Sequence, residues 1–530
     1  MAGRWEKETQ LSTTRFWLGW IVIVALLAGP LTRLGVAAAT GTPATSRPNV
    51  VVILTDDMRA DDLPMMPHVR DLLVKQGMTF ANSYVTTPVC CPSRASILRG
   101  QYAHNHGVLG NAGPSGGFTT FHALGREDST VATWLHDAGY KTALVGKYLN
   151  GYPESGHPTF VPPGWDEWDA LIGDSGKYFR FDLNQNGRVV PYAGRIDSSE
   201  QRRGSADSRS PDIYSTDVLA TKATDFVQQA GRSGEPFFLY VAPSAPHGPA
   251  DPAPRDATAF ATATAPRPPS FNEANVDDKP DWVRTAPLLS ADEIAQIDAL
   301  YRDRLRSLLA VDDLVAHLVE TLRATGTLDQ TYIVFTSDNG YQLGEHRIES
   351  AKRAAYEESI RVPLVVRGPG IQPGAVVDQL ALNIDLAPTI AGWADVAIPA
   401  FVDGRSLAPL LKGDAAGWRQ AFLVEHLDSR VDRAEEGDNA PTVPTYVAVH
   451  TAGELYVEYQ GGEREMYNLE ADPYELSNIA SMADRDLLTS LQGRLAQLRN
   501  CAGARCRTAE DAPFRQPAAP PSPLSAAPGG

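Results

Sequence analysis

Along most of the chain, short β-branched runs alternate with longer helical periodicities. Within Pro48–Leu54 the apolar positions are continuous rather than alternating, as a strand covered on both faces requires, and the run stops at Thr55-Asp56-Asp57. Thr331–Thr336 repeats the pattern and stops at Ser337-Asp338-Asn339-Gly340. Thr142–Gly146 and Pro236–Ala242 predict two further strands. Helical spacing over Val131–Ala138 ends at Gly139, and a longer one over Glu293–Leu322 ends near Gly326, glycine being the residue that tolerates a helix-ending turn. Such alternation predicts an α/β fold with a large, mostly parallel central sheet flanked by helices. In open α/β sheets ligands gather beyond the carboxyl ends of the strands, so the two acidic clusters are predicted to meet although far apart in sequence.

After Gly413 the strand-like runs shorten: Ala421–Glu425, Tyr446–His450, Glu454–Tyr459 and Glu465–Leu469, then a helix around Asp484–Leu498. This predicts a smaller C-terminal α+β subdomain. The expected division is 1–39 as a signal peptide, 40–412 as the large α/β domain, 413–510 as the subdomain and 511–530 as a low-complexity tail. Pro243–Pro269 and Arg188–Ser210 are read as long surface loops that shape a cleft.

Of the 530 residues 43% are hydrophobic and 21% charged, which excludes a disordered or collagenous chain. The formal net charge of −17 is opposite to what a nucleic-acid-coating surface needs, so an anionic substrate must be met by a few local cations. Arg4, Lys7 and Arg15 precede the apolar run Phe16–Leu31 and the small residues Gly35–Ala39, the tripartite form of a secretory signal. Export to the cell envelope or outside is expected, with an uncleaved membrane anchor as the alternative and no stable membrane partner once the signal is removed. The four cysteines fall in two close pairs. Cys501 and Cys506 are spaced to close a small disulfide loop in an oxidising compartment. Adjacent Cys90 and Cys91 are badly placed to bridge each other, and neither pair has C-x-x-C zinc spacing.

The chemistry concentrates around Cys90-Cys91-Pro92-Ser93-Arg94, where Pro92 and Ser93 predict a helix start whose free N–H groups favour an anion. A phosphatase-type thiolate loop would need Arg six positions after the Cys, and those positions hold Ser96 and Ile97. Two buried packing thiols are the plain alternative. Asp56, Asp57, Asp338 and Asn339 offer oxygen ligands only, which suits a hard cation, Ca²⁺ or Mg²⁺, better than zinc.

Cys90-Cys91-Pro92-Ser93-Arg94 followed by Leu98-Arg99-Gly100 resembles the sulfatase signature C-x-P-S-R-x(4)-[TR]-G. The likeness extends from Asn49 to about Arg507. It takes in Gly146-Lys147, Ala245-Pro246-His247, Lys352 and Asp403-Gly404-Arg405-Ser406. Within the alkaline-phosphatase-like sulfatases the sequence is most similar to the N-acetylglucosamine-6-sulfatase group. That likeness is carried by the doubled cysteine, Tyr102–His106, Gly146–Asn150, Arg367–Ile371 and Asn500–Arg507.

The resemblance implies hydrolysis of a sulfate monoester, such as a 6-O-sulfated N-acetylglucosamine, and conversion of Cys90 to formylglycine by a formylglycine-generating enzyme. It implies Ca²⁺ held by Asp56, Asp57, Asp338, Asn339 and the modified Cys90. Arg94 would hold the nucleophile, Lys147 and Lys352 the sulfate, and His247 with Lys352 would protonate the leaving alcohol. One departure stands out: where many sulfatases have Gly-Lys-x-His, Leu149 occupies the position of the base. His104, His106 and His346 are then candidates for that role or for sugar contact. The rival activities are arylsulfatase and phosphonate or phosphodiester hydrolase on the same scaffold. A non-catalytic glycan-binding protein, retaining the Cys90 thiol, is the rival of another class.

Overall fold

A computed structural model describes residues 47–153, 157–173, 177–192, 213–429 and 442–513. The expected signal peptide, most of the tail and the loop from residue 193 to 210 lie outside the described residues. The strands are β1 (Asn49–Thr55), β2 (Met78–Phe80), β3 (Ser83–Tyr84), β4 (Lys141–Gly146), β5 (Glu167–Leu171), β6 (Phe181–Gln185), β7 (Arg188–Tyr192) and β8 (Phe237–Ala242). They continue with β9 (Thr331–Ser337), β10 (Leu364–Arg367), β11 (Ala375–Val377), β12 (Ala381–Leu382), β13 (Ala421–His426), β14 (Tyr446–Thr451), β15 (Glu454–Tyr459) and β16 (Arg464–Asn468).

Ten of them form one sheet in the order β11-β2-β10-β9-β1-β8-β4-β5-β6-β7. Its centre is parallel: β1 pairs with β9 and β8, and β4 with β8 and β5. Alternate residues of β1 enter different layers, Val50, Val52 and Leu54 on one face and Val51 and Ile53 on the other. Helices Cys90–Arg99, Val131–Asp137 and Leu386–Trp393 cover the first face, and Ser215–Ser233 and Ala291–Ala324 the second. Burial on both sides is why β1 carries no polar alternation.

The predicted central strands and long helices are present within a few residues of their expected limits. Ala291–Ala324 begins with a capping box in which Ser290 and Glu293 satisfy each other's backbone N–H groups. The expected surface loop from Arg188 is corrected at its start. Arg188–Tyr192 is an edge strand paired with β6, closed by Asn186 and Gly187 at φ 49° and 85°. Both turn residues adopt the left-handed conformation that a two-residue hairpin demands, which Asn-Gly supplies at low cost. Pro191 is tolerated because an edge strand leaves one row of N–H groups unpaired.

The antiparallel sheet β13-β14-β15-β16 stands apart from the central sheet. Its apolar residues Phe422, Val449, Tyr456 and Tyr467 share a core with Tyr84, Tyr102, Ala354 and Ile360 from the larger part, and with Leu491 and Leu495 of helix Arg485–Leu498. Cys501 and Cys506 are joined by a disulfide, and Cys90 and Cys91 are free and buried.

Candidate active site

Four parallel strand ends and one helix start build the site. The hydrogen-bond ladder continues past the strands: Asp338 N donates to Thr55 O, Asp56 N to Ala245 O and Lys147 N to Ala242 O at 3.1, 3.2 and 2.8 Å. Asp56 and Asp57 after β1, Lys147 after β4, His247 after β8, and Asp338 and Asn339 after β9 are thereby held side by side. Asp57 takes a left-handed φ of 67°, with its N–H on Asp338 Oδ1 at 3.0 Å and the next N–H, of Met58, on Ser337 Oγ at 2.8 Å.

Cys90 is the first residue of helix Cys90–Arg99. Its Sγ lies 3.4 Å from Asp56 Oδ1 and 3.7 Å from Asp57 Oδ1. Lys352 Nζ is 2.8 Å from that sulfur and 2.7 Å from Asp57 Oδ1, while Lys147 Nζ is 2.6 Å from Asp56 Oδ2. Arg94 donates from Nε to Asp338 Oδ2 at 2.8 Å and from Nη1 to Lys147 O at 3.1 Å. His247 Nε2 is 3.7 Å from Asp57 Oδ2, its Nδ1 being hydrogen-bonded to Gly248 O. All five residues expected to be catalytic and all those expected to bind metal are thus brought into one cluster.

Burial pushes the Cys90 thiol well above its usual range, and Asp56 adds to the effect despite the nearby lysines. An unmodified thiol here stays protonated and is a poor nucleophile. Burial also works to raise Asp56 and Asp57, but the cations around them win. Lys147, His247, Arg94 and Lys352 hold Asp56 below the ordinary carboxylate range, and Lys352 and His247 do the same for Asp57. Asp338 goes the other way, raised by burial and by Asp56.

The oxygens fit a hard divalent cation. Asn339 donates through Nδ2 to Asp57 Oδ1 at 2.7 Å, yet its Oδ1 is buried without a hydrogen-bond partner. A buried amide oxygen left unpaired beside three carboxylates is costly unless a cation completes it.

The expected substitutes for the missing base are placed elsewhere. Leu149 is 2% exposed in the apolar core. His104 is bonded to Glu425 and to Cys501 O, His106 to Ser96 Oγ, and His346 to Glu273 Oε2. Among the described residues, the histidine that joins the cluster is His247.

Three supporting residues escape sequence reasoning. Arg304, buried on helix Ala291–Ala324, donates to the carbonyls of Asp57 and Pro246 and so holds two of the strand-end loops. Asn111 accepts the Cys91 N–H at 2.9 Å. Ser337 also donates to Asn339 O at 2.9 Å. Adjacency to Asp338 was a usable signal for Ser337. Arg304 gave none, since its partners come together only on folding.

The family model described as Sulfatase matches residues 48–396. The chain belongs to the sulfatase family. A second model, described as N-sulphoglucosamine sulphohydrolase, C-terminal, matches residues 344–501. This sulfatase is 38% identical to the N-acetylglucosamine-6-sulfatase of Homo sapiens over 92% of this chain and 90% of that one. It is 35% identical to an arylsulfatase of Volvox carteri, over 90% of this chain and 78% of that one. A solved structure of a protein in complex with its substrate D-glucosamine-2-N,6-O-disulfate superposes with a TM-score of 0.69 at 25% identity, covering 88% of this chain and 99% of that one. The protein is a sulfuric ester hydrolase on the alkaline-phosphatase-like fold, and the family generally uses formylglycine and a divalent metal.

Proposed function

We propose that this sulfatase removes the 6-O-sulfate of an N-acetylglucosamine or a similar sulfated sugar. The observation that carries the substrate is the 38% identity to a protein of that name over about nine-tenths of both chains.

Asp56, Asp57, Asp338 and Asn339 would hold the metal, which we take to be Ca²⁺ because every one of these groups offers oxygen. Bound there, the cation would neutralise the carboxylates on which both lysines are now spent, leaving the ammonium groups for sulfate oxygens. Formylglycine at Cys90 would supply a hydrated aldehyde, an oxygen nucleophile with a second hydroxyl through which sulfate is expelled.

The remaining work falls to the chain's own side chains. Arg94, fully buried and tied to Asp338, fixes position 90 and offsets negative charge as sulfur is attacked. Lys147, now on Asp56, and Lys352, now on Asp57 and Cys90, would grip the sulfate. His247 Nε2 gives its proton to the leaving oxygen; now neutral, the same nitrogen takes the next proton as sulfate departs, which removes the need for a base at Leu149. Conversion of Cys90 requires a formylglycine-generating enzyme as partner. We further read residues 1–39 as an export signal, 40–412 as the catalytic part and 413–510 as an α+β subdomain.

The test compares turnover of N-acetylglucosamine 6-sulfate, an aryl sulfate and an aryl phosphodiester by protein co-produced with the maturation enzyme. The sugar sulfate is expected to have the highest kcat/KM. Preference for the aryl sulfate would overturn the substrate, and an unmodified thiol at position 90 in active protein would overturn the mechanism.

A further inference from the structure

A second group of metal-ligating side chains converges away from the Cys90 cluster, two of them buried and Glu358 half-buried. His346 lies in the loop after β9, Glu358 in the short helix Glu357–Ile360, and Glu475 beyond β16. One donor atom from each lies within 4.8 Å of the other two. His346 and Glu475 are 0% and 1% exposed. His346 Nε2, Glu358 Oε2 and Glu475 Oε1 are buried with no hydrogen-bond partner among the described residues.

The histidine is oriented from behind. Its Nδ1 is bonded to Glu273 Oε2 at 2.8 Å and its ring stacks on Tyr356 with centroids 4.1 Å apart. A carboxylate on one imidazole nitrogen is the usual support for a metal on the other, and here Nε2 is the atom left to bind.

Charge argues in the same direction. The charged groups that act most strongly on Glu475 are Glu358, Glu357 and Glu465, all acidic, while the nearby Lys279 ammonium is turned to Leu476 O at 2.6 Å and to Glu273 at 3.4 Å. Beside Glu358 lie Glu345 and Arg59, and Arg59 is engaged by Glu345 at 2.9 Å. Desolvated carboxylates without a counter-cation are costly. Protons alone would neutralise both yet leave His346 Nε2 unpaired. One imidazole nitrogen with two carboxylates suits zinc and similar first-row divalent ions rather than the all-oxygen preference of Ca²⁺. A cavity of about 350 Å³, lined by Arg59, Glu357, Glu358 and Tyr474 among others, reaches Glu358 of the three.

We propose that His346, Glu358 and Glu475 bind a zinc-class divalent cation, fastening the loop that carries Lys352 to the segment after β16. The loop is short between His346 and Lys352, so the ion would steady the position of the active-site ammonium without touching substrate.

The full chain is tested in a Cys90→Ala, His247→Gln background, which removes the soft donors of the active site, and in millimolar Ca²⁺, which fills its oxygens. One equivalent of Zn²⁺ is expected to survive gel filtration, and adding His346→Gln or Glu475→Gln should weaken retention at least tenfold while circular dichroism stays unchanged. Co²⁺ added to the Cys90→Ala, His247→Gln protein in Ca²⁺ should give visible d–d absorption that Zn²⁺ abolishes, a readout that needs no substitution at the proposed ligands. No retained zinc, retention unaffected by both substitutions, or absence of the Co²⁺ bands would overturn the proposal.

Discussion

Lysines are normally solvated, and 147 and 352 are 4% and 1% exposed because carboxylates meet them inside the protein. Truncating one therefore removes a charge that is already positioned. Lys352→Ala is expected to lower kcat by about 10²–10³-fold on a sulfate ester, the range found when a single oriented donor is removed from a reaction centre. Steady-state turnover checks it, and near-normal kcat would refute the role. The neighbouring cysteines should behave differently. Cys90 reaches the acidic cluster, whereas Cys91 packs in the apolar core with Ala95 and Leu98. Cys91→Ala is expected to cost about 1 kcal/mol in urea unfolding, with the aldehyde still formed at Cys90 by peptide mass spectrometry and turnover within about twofold of the parent.

Elements at the carboxyl end of the chain are held to the larger part by buried polar groups. Arg419, just before β13, bonds both oxygens of Asp385 and donates from Nε to Glu510 Oε2 at 3.0 Å, all three side chains being fully buried. Arg419→Met would leave the buried Asp385 carboxylate without its cation and Glu510 with Arg405 alone, and is expected to destabilise by about 3–5 kcal/mol in denaturant melts. His104 makes a second link, from the short helix Ala103–His106 to Glu425 of β13. Burial lowers its pKa, but hydrogen bonding and charge from Glu425 outweigh this and bring it up to about 8. A histidine raised above its unfolded value contributes stability that is complete below about pH 6.5 and lost as pH rises through about 8. Unfolding free energy should therefore fall by up to about 2 kcal/mol across that window, and His104→Gln should flatten the decline. An unchanged slope in the variant would remove His104 as the cause.

For the molecule as a whole, the active site depends on distant segments being made neighbours by the parallel sheet. Among the described residues no helix is long and apolar enough to cross a membrane. The export reading rests on residues 1–39, and it predicts that protein recovered from its natural host begins near residue 40. Intact-mass measurement decides this, and a mass that includes Phe16–Leu31 would favour the anchor.

The family and the type of fold were legible in the sequence alone. Continuous apolar runs ending in Asp-Asp and Ser-Asp-Asn marked strands buried on both faces with candidate ligands at their carboxyl ends, and Cys90–Gly100 carried the signature of the family. These signals are local, so they survive without coordinates. The tertiary structure decided which groups meet. It set Lys352 on Cys90, released His104, His106 and His346 from the active site by giving each another partner, and placed Arg304 behind the strand-end loops. It also made Arg188–Tyr192 an edge strand, although Asn186-Gly187 was a readable hairpin signal that its polar flanks obscured. Contacts between residues far apart in the chain leave no periodicity behind, and whether a histidine is a base, a tether or a metal ligand is fixed by what folding sets against each ring nitrogen.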